Sequence, residues 1–225
     1  MSSFRLGFCL PTQHTWDADF GLSVANMCLY IQKHQVPGYQ GNGLMIFNRR
    51  SSLIAKSRQE LVQDAIKKKC THVLFIDSDQ WFSADLCHRL ASHGKRVIGC
   101  NIATKAQGAS IPTARSAPAA GEWWGGHVVD SRGKTGIEKV WRLGFGVMLI
   151  DLEVFKDVPL PWFNQEWRPE FNEFIGEDWF FCELMDKLGV PIWVDHEASM
   201  TVGHNGNWTY MLDGCVKPED KKEAA

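Results

Sequence analysis

Apolar residues along this chain fall into short continuous runs that alternate with longer stripes at helical spacing. Such runs predict buried strands, and the spaced stripes predict amphipathic helices. Strands are predicted at residues 4–10, 44–47, 73–76, 95–101, 140–150 and 192–195, and helices at 21–35, 51–69, 84–93 and 176–188. Strands that alternate with helices are typical of an α/β fold, so we expect one domain with a mostly parallel central sheet flanked by helices.

An Asp-x-Asp sequence follows the most apolar of the predicted strands. Asp77, Ser78 and Asp79 come directly after the run 73–76, at the sheet edge where open α/β folds bind their ligands. Carboxylate oxygens suit hard divalent cations, so this spacing predicts an Mg²⁺ or Mn²⁺ site that holds a phosphate. The same residues also suit a simple turn or a helix N-cap, and the motif alone leaves both interpretations open.

Arg58 interrupts the apolar stripe of the helix predicted at 51–69. A guanidinium group does not deprotonate in proteins, so an arginine on a core-facing stripe needs an anion. A carboxylate or a phosphate would serve. An arginine that extends past the edge of the core to solvent would fit the pattern as well.

Polar or turn-forming residues follow several predicted strands. Pro11, Thr12 and Gln13 come after the first strand, where they would contact a ligand or form an ordinary loop. Residues 103–136 are rich in glycine and proline, and long segments of this kind are often functional. Within them, Trp123–Trp124 would either stack on a sugar or act as a hydrophobic plug.

Two acidic residues and one histidine complete the set of candidates. Glu177 and Asp178 begin the helix at 176–188, where acids also favour the helix dipole. Asp178 shares a helix face with apolar residues further along, so its carboxylate is expected to point inward and to act chemically. His204 lies in a segment bracketed by glycines. A lone histidine is usually structural, but the upstream carboxylates make it a candidate metal ligand.

Composition narrows the classes of protein that are possible. The 225 residues are 44% hydrophobic with a net charge of −2, which predicts one domain over residues 1–216, a charged tail at 217–225 and no nucleic-acid surface. No apolar run approaches the roughly 20 residues of a membrane span, and the N-terminal segment reads as a strand rather than a signal peptide. Seven scattered cysteines favour reduced thiols in a cytoplasmic protein.

Five segments of the chain carry a family resemblance. They are, in order, IAKSRQELVQDAI at 54–66, VLFIDSDQWF at 73–82, LGFGVMLI at 143–150, GEDWFF at 176–181 and the segment 193–206. Together they resemble glycosyltransferases of the GT-A fold, a Rossmann-like single-domain α/β architecture. The resemblance covers roughly residues 4–208 and is nearest to small transferases of bacteria and large viruses. It would place the protein in the cytosol of a bacterium or of a virus-infected host cell.

The resemblance implies a metal-dependent transferase of the hexosyltransferase type. It would move a sugar from a nucleoside-diphosphate-sugar donor, a UDP- or GDP-sugar, to a hydroxyl group of a glycan or other glycoconjugate. Asp178, with Glu177 as its rival, would be the acceptor-side carboxylate. Asp79 and His204 would bind Mn²⁺ or Mg²⁺, and Asp77 would bind ribose, the metal or its water. The expected donor-binding residues are Pro11, Thr12, Gln13, Arg58, Asp77, Ser78 and Asp79.

Two other functions stay open at this stage. A sugar nucleotidyltransferase shares the α/β fold and the metal-binding carboxylates, but residues 11–14 lack the glycine-rich basic loop that would hold a triphosphate. A non-catalytic carbohydrate-binding module would account for the ten tryptophans. It would bind sugar without nucleotide or metal. Retention or inversion at the anomeric carbon is also undecided.

Overall fold

A computed structural model of the protein describes residues 3–12, 15–106, 110–120, 125–206 and 209–215. Gln13, Trp123–Trp124 and the predicted tail 217–225 lie outside these residues. The helices within them are α1 (Ala18–Lys33), α2 (Ile54–Lys67), α3 (Leu86–Ser92), α4 (Glu177–Lys187) and α5 (His196–Ser199). The strands are β1 (Phe4–Thr12), β2 (Asn42–Arg50), β3 (His72–Ile76), β4 (Gln80–Phe82), β5 (Val97–Gly99), β6 (Arg115–Ser116), β7 (His127–Val128), β8 (Ile137–Val140), β9 (Val147–Asp151), β10 (Glu166–Arg168), β11 (Glu173–Ile175), β12 (Ile192–Asp195), β13 (Val202–Asn205) and β14 (Thr209–Tyr210).

The central sheet is mixed, with most of its strands in one direction. Within the described residues it has seven strands in the order β2-β1-β3-β9-β5-β12-β8. β2, β1, β3, β5 and β12 share one direction, whereas β9 and β8 run the opposite way. The expected mostly parallel sheet is therefore present. The antiparallel β9 at its centre was not predicted, because an apolar strand pattern does not encode strand direction.

Helices cover both faces of this sheet. Alternate residues of β3 separate the two cores: Val73 and Phe75 belong to the face covered by α2 and α4, and Leu74 and Ile76 to the face covered by α1, α3 and α5. All four side chains are fully buried, and burying each contributes about 1.5–3 kcal/mol. This two-sided burial explains the continuous apolar run that precedes Asp77.

Some predicted boundaries are wrong by a few residues. Pro11 does not end β1, which continues to Thr12. β1 pairs with β3 only as far as Cys9, so Pro11 lies where β2 is the remaining partner in the described sheet. The helix predicted at 84–93 also begins later, since α3 starts at Leu86.

A second, smaller sheet lies beyond the carboxyl end of β3. In the described residues β4, β13 and β14 form it, with β4 antiparallel to β13. Gly203 on β13 faces Trp81 on β4, and a Cβ atom at Gly203 would lie 2.0 Å from the Trp81 Nε1 atom. Only glycine therefore lets the indole lie across β13, and this contact fixes the segment that carries His204.

The seven cysteines are free thiols, and all of them lie within the described residues. Burial raises the pKa of Cys87 and of Cys182 to about 12, so neither is a nucleophilic thiolate near neutral pH.

In the described part of the chain, no helix has the length and apolar character that crossing a bilayer requires.

Candidate functional site

A cleft of about 520 Å³ lies at the carboxyl ends of β1, β2 and β3. These strands are parallel, so the residues that follow them meet at one edge of the sheet. The edge is the position at which open α/β folds bind ligands. The described residues that line the cleft are Pro11, Thr12, Thr15, Ser51, Ser52, Ile54, Arg58, Asp77, Ser78, Asp79 and Glu177.

Arg58 is buried between two carboxylates at the base of this cleft. Its side chain is 3% exposed, and it donates from Nη2 to Asp77 Oδ1 at 2.9 Å and from Nε to Glu177 Oε1 at 3.1 Å. The guanidinium carbon also lies 5.4 Å and 4.8 Å from the ring centres of Phe75 and Phe145. The anion that pairs with Arg58 is therefore a carboxylate. The alternative interpretation, in which Arg58 extends past the edge of the core to solvent, is wrong.

The charges in this group stabilise one another. Burial alone would lower the pKa of Arg58, but the charges of Asp77 and Glu177 outweigh it and raise the pKa. Burial raises the pKa of Asp77, and the nearby charge of Asp79 adds to this, although Arg58 opposes both. Asp77 therefore depends on Arg58 for its ionised form.

This ion pair changes the metal ligand set that was expected. Asp77 faces Arg58, and in the described part of the chain no three His, Cys, Asp or Glu side chains come together in a group that could hold a metal ion. The set of Asp77, Asp79 and His204 is therefore not assembled as three direct ligands. Asp79 and His204 do come together, as a pair.

Asp79 and His204 face each other across a short gap. His204 Nε2 lies 3.4 Å from Asp79 Oδ1. His204 Nδ1 lies 2.9 Å from the carbonyl oxygen of Ala103, so Nδ1 must be the donor and a neutral ring has its lone pair on Nε2. Asp79 Oδ1 is shielded from solvent and has no hydrogen-bond partner among the described residues. The two atoms repel each other unless a proton or a cation lies between them.

Lys105 contacts the other oxygen of the same carboxylate. Its Nζ lies 2.5 Å from Asp79 Oδ2. Burial would raise the pKa of Asp79, but its interactions with His204 and Lys105 outweigh burial and lower the pKa to about 2. Lys105 was not among the site residues predicted from the sequence. The available indication was its position a few residues after β5, which ends at the same edge as β3.

Backbone hydrogen bonds hold the parts of this site together. The Asn205 amide donates to the Asp79 carbonyl at 2.7 Å, and the Asp77 amide donates to the Gly146 carbonyl at 3.1 Å. A Cβ atom at Gly146 would lie 2.5 Å from Ile102 Cδ1, so a larger residue would require the Ile102 side chain to shift. Gly146, in the block LGFGVMLI, therefore packs against the Asp-x-Asp turn.

The acidic start of α4 places its two carboxylates differently. Glu177 lines the cleft and is held by Arg58, whereas Asp178 is not among the described residues of the lining. Asp178 Oδ1 accepts from the Trp179 amide at 2.8 Å, so it also caps the helix. Burial, followed by the charge of Glu177, raises the pKa of Asp178 to about 6. Such a carboxylate is a better proton acceptor than an ordinary aspartate.

The predicted nucleotide-side residues are present in part. Pro11 and Thr12 line the cleft, and Gln13 lies outside the described residues. The Thr12 hydroxyl accepts from Asn48 Nδ2 at 3.2 Å, which fixes the cleft wall between β1 and β2. Ser78 lines the cleft, and its carbonyl accepts from the Asp17 amide at 3.4 Å.

Comparison with solved structures shows the overall fold. The chain is similar to the crystal structure of A197 from STIV with a TM-score of 0.56 and 14% sequence identity, over 90% of this chain and 86% of that chain. At this identity the likeness establishes a shared fold and nothing about activity. No protein-family model matches the sequence. No curated protein matches it.

Two more distant structures are also similar in part. One is a nucleoside-diphosphate-sugar pyrophosphorylase from Vibrio cholerae RC9, with a TM-score of 0.46 and 11% identity over 97% of this chain and 98% of that chain. The other is a glycosyltransferase involved in the glycosylation of the major capsid of PBCV-1, with a TM-score of 0.32 and 11% identity over 69% of both chains. Scores below 0.5 are too low for either to support a functional conclusion.

Proposed function

We propose that this protein is a metal-dependent glycosyltransferase of the GT-A fold, which moves a sugar from a UDP- or GDP-sugar to a hydroxyl acceptor. The observation that carries the proposal is the gap of 3.4 Å between Asp79 Oδ1 and His204 Nε2 at the mouth of the cleft. A buried oxygen without a partner faces an imidazole lone pair there. This arrangement favours a bound cation over a simple turn.

The two side chains fit Mg²⁺ or Mn²⁺. Ligands about 2.1 Å from one ion and at right angles to each other lie about 3 Å apart, close to the observed gap. Such ions commonly take one or two protein ligands and complete their shell with water and substrate phosphate, so a third protein ligand is not needed. When bound, the cation would neutralise charge that develops on the departing diphosphate.

The remaining cleft residues would bind the rest of the donor. Pro11, Thr12 and Ile54 line the cleft beside the ends of β1 and β2 and suit the nucleoside. Asp77 is fixed by Arg58 and suits a ribose hydroxyl or a metal-bound water. Arg58 would thus act on the donor through Asp77, because its Nη2 and Nε donate to carboxylates and its Nη1, which has no hydrogen-bond partner among the described residues, is shielded from solvent.

Asp178 is the better of the two candidates for the acceptor-side base. Glu177 already accepts a hydrogen bond from Arg58, whereas the raised pKa of Asp178 suits proton abstraction near neutral pH. The hairpin of β10 and β11 directly precedes α4 and exposes Trp167 and Phe174. Aromatic rings of this kind suit the face of an acceptor sugar. A retaining reaction would not need the base.

The proposal is tested first by donor binding. Calorimetric titration of the full chain with UDP, GDP and their sugars, each with and without Mn²⁺, should give binding that requires the metal. Metal-dependent binding of a triphosphate in preference to a diphosphate would instead favour a nucleotidyltransferase. Binding of free sugars alone, with no nucleotide bound, would favour a carbohydrate-binding module.

Asp178→Asn then tests the acceptor side. We expect this variant to retain donor affinity and to lose at least about 90% of sugar transfer, because an amide cannot accept the proton. Asp186→Asn on the same helix is the control, since Asp186 is exposed and does not contact the cleft residues described above. Loss of donor binding in Asp178→Asn would remove this residue from the acceptor site.

A further inference from the structure

Lys105 is a cation at the cleft to which the proposed function gives no role. Its ammonium group lies 2.5 Å from Asp79 Oδ2, on the opposite side of the carboxylate from His204. The same short segment that carries Lys105 also fixes His204, because the Ala103 carbonyl accepts from His204 Nδ1. One loop therefore supplies a cation to Asp79 and orients the histidine that faces it.

The fold holds this loop in place and leaves the end of Lys105 accessible. The Thr104 amide donates to the Ile111 carbonyl at 2.9 Å, and Ala103 forms a bridge with Pro112. The stem of Lys105 packs near Gly206, where a Cβ atom would lie 3.5 Å from its Cδ. The side chain is 35% exposed, in contrast to the 3% of Arg58.

A divalent cation at Asp79 would disturb this ion pair. Two positive charges on one carboxylate repel each other, and a lysine side chain has four rotatable bonds that let its ammonium move away. The diphosphate of a donor would bring the nearest new negative charge. Among the described residues that line the cleft, Arg58 is the sole cation, and its Nη2 and Nε already donate to carboxylates.

We propose that Lys105 is a diphosphate-binding residue that pairs with Asp79 in the free protein and turns to the phosphate oxygens when Asp79 binds the cation. This inference rests on the proposed function. Lysine binds phosphate as a compact point charge and needs no fixed fork geometry, so a small rotation of its stem is sufficient. Lys105 would then both compete with the metal and retain the donor.

Lys105→Met tests this role, because it keeps the stem and removes the charge. Mn²⁺ alone should bind at least about threefold more tightly, since a competing cation is gone. UDP or GDP in the presence of Mn²⁺ should bind at least about tenfold more weakly, since a charged hydrogen bond is lost. Uridine and guanosine, which lack phosphate, should bind unchanged. Electron paramagnetic resonance of Mn²⁺ and calorimetry measure these constants.

Lys134→Met is the matched control, because Lys134 forms a comparable pair at 2.7 Å with Glu138, which is not among the described residues of the cleft lining, whereas Asp79, the partner of Lys105, is. It should leave all these constants unchanged, and Lys105→Arg should recover diphosphate binding. Equal diphosphate affinity in the native chain and in Lys105→Met would overturn this inference alone. Weaker Mn²⁺ binding together with weaker diphosphate binding would also overturn it, as a merely structural role. Absence of any diphosphate binding by the native chain would overturn the proposed function itself.

Discussion

Asp77 and Asp79 are two residues apart and differ in their partners. The Asp77 side chain is 32% exposed, but its partner Arg58 is 3% exposed and donates both to it and to Glu177. The Asp79 side chain is 40% exposed. It contacts Lys105, which has a long side chain with several rotatable bonds, and it lies 3.4 Å from His204. Asp77 is therefore held by a buried partner, whereas Asp79 can exchange its partners for a ligand.

An Asp-x-Asp sequence therefore need not supply two equivalent ligands. Arg58 carries a permanent charge and is buried, so separating it from Asp77 should affect stability. A half-exposed charge with exchangeable partners can lose them at little cost, so changes around Asp79 should affect binding. The predictions below separate the two effects.

The largest effect is expected for Arg58→Met. This change leaves the carboxylates of Asp77 and Glu177 without their cation, and breaking a buried ion pair in this way costs about 3–5 kcal/mol in the free energy of unfolding. Urea denaturation followed by circular dichroism measures the loss. Arg49→Met is the control, because the exposed pairs of Arg49 with Asp64 and Glu60 should contribute less than about 1 kcal/mol. Equal losses in both variants would contradict the distinction.

A second test replaces each of the two aspartates by asparagine in turn. Asp79→Asn should weaken Mn²⁺ binding at least about 100-fold, which corresponds to about 2.7 kcal/mol, and lower the free energy of unfolding by about 1 kcal/mol or less, because its pair with Lys105 is half-exposed. Asp77→Asn should lower the free energy of unfolding by more, because the buried Arg58 loses one of its two carboxylate partners, while the Mn²⁺ affinity stays within about threefold. Calorimetric titration and urea denaturation of both variants give the four values. Similar losses of metal affinity in the two variants would make Asp77 a direct ligand after all.

A smaller effect is expected for His204→Ala. Removing one of two protein ligands, with Asp79 retained, should weaken Mn²⁺ binding about tenfold, or about 1.4 kcal/mol. His93→Ala is the matched control, because His93 forms a 2.9 Å pair with Asp195 away from the cleft. If Mn²⁺ binds both variants as it binds the native chain, a proton rather than a metal occupies the gap between His204 and Asp79.

A further test concerns the pH dependence of Asp178. Its pKa of about 6 in the folded protein lies above the usual aspartate value, so the folded state holds its proton more tightly than the unfolded state. The stabilisation from this group is therefore complete below about pH 4 and is lost as the pH rises through about 6. Unfolding free energies of the native chain and of Asp178→Asn, measured from pH 4.5 to 7.5, should diverge in that direction. A constant difference across this range would contradict the raised pKa.

Several elements could be predicted from the sequence because their causes are local. The apolar runs produced β1, β3 and β12 within a few residues, and the stripe with Arg58 produced α2. The requirement of Arg58 for an anion was also predictable, since it follows from a permanent charge on a buried face. The identity of that anion was not, because Glu177 is 119 residues away along the chain.

The sequence by itself determined that an α/β sheet would present carboxylates at one edge, since hydrophobic period and residue charge are properties of short segments. Tertiary structure decided which carboxylate is free, because pairing depends on groups brought from distant segments. Arg58 closes around Asp77 from α2, while Lys105 and His204 reach Asp79 from two other loops and strands. The sequence pattern did not determine the direction of β9, since both directions would bury the same side chains. Its antiparallel pairing with β3 and β5 was decided by the tertiary structure.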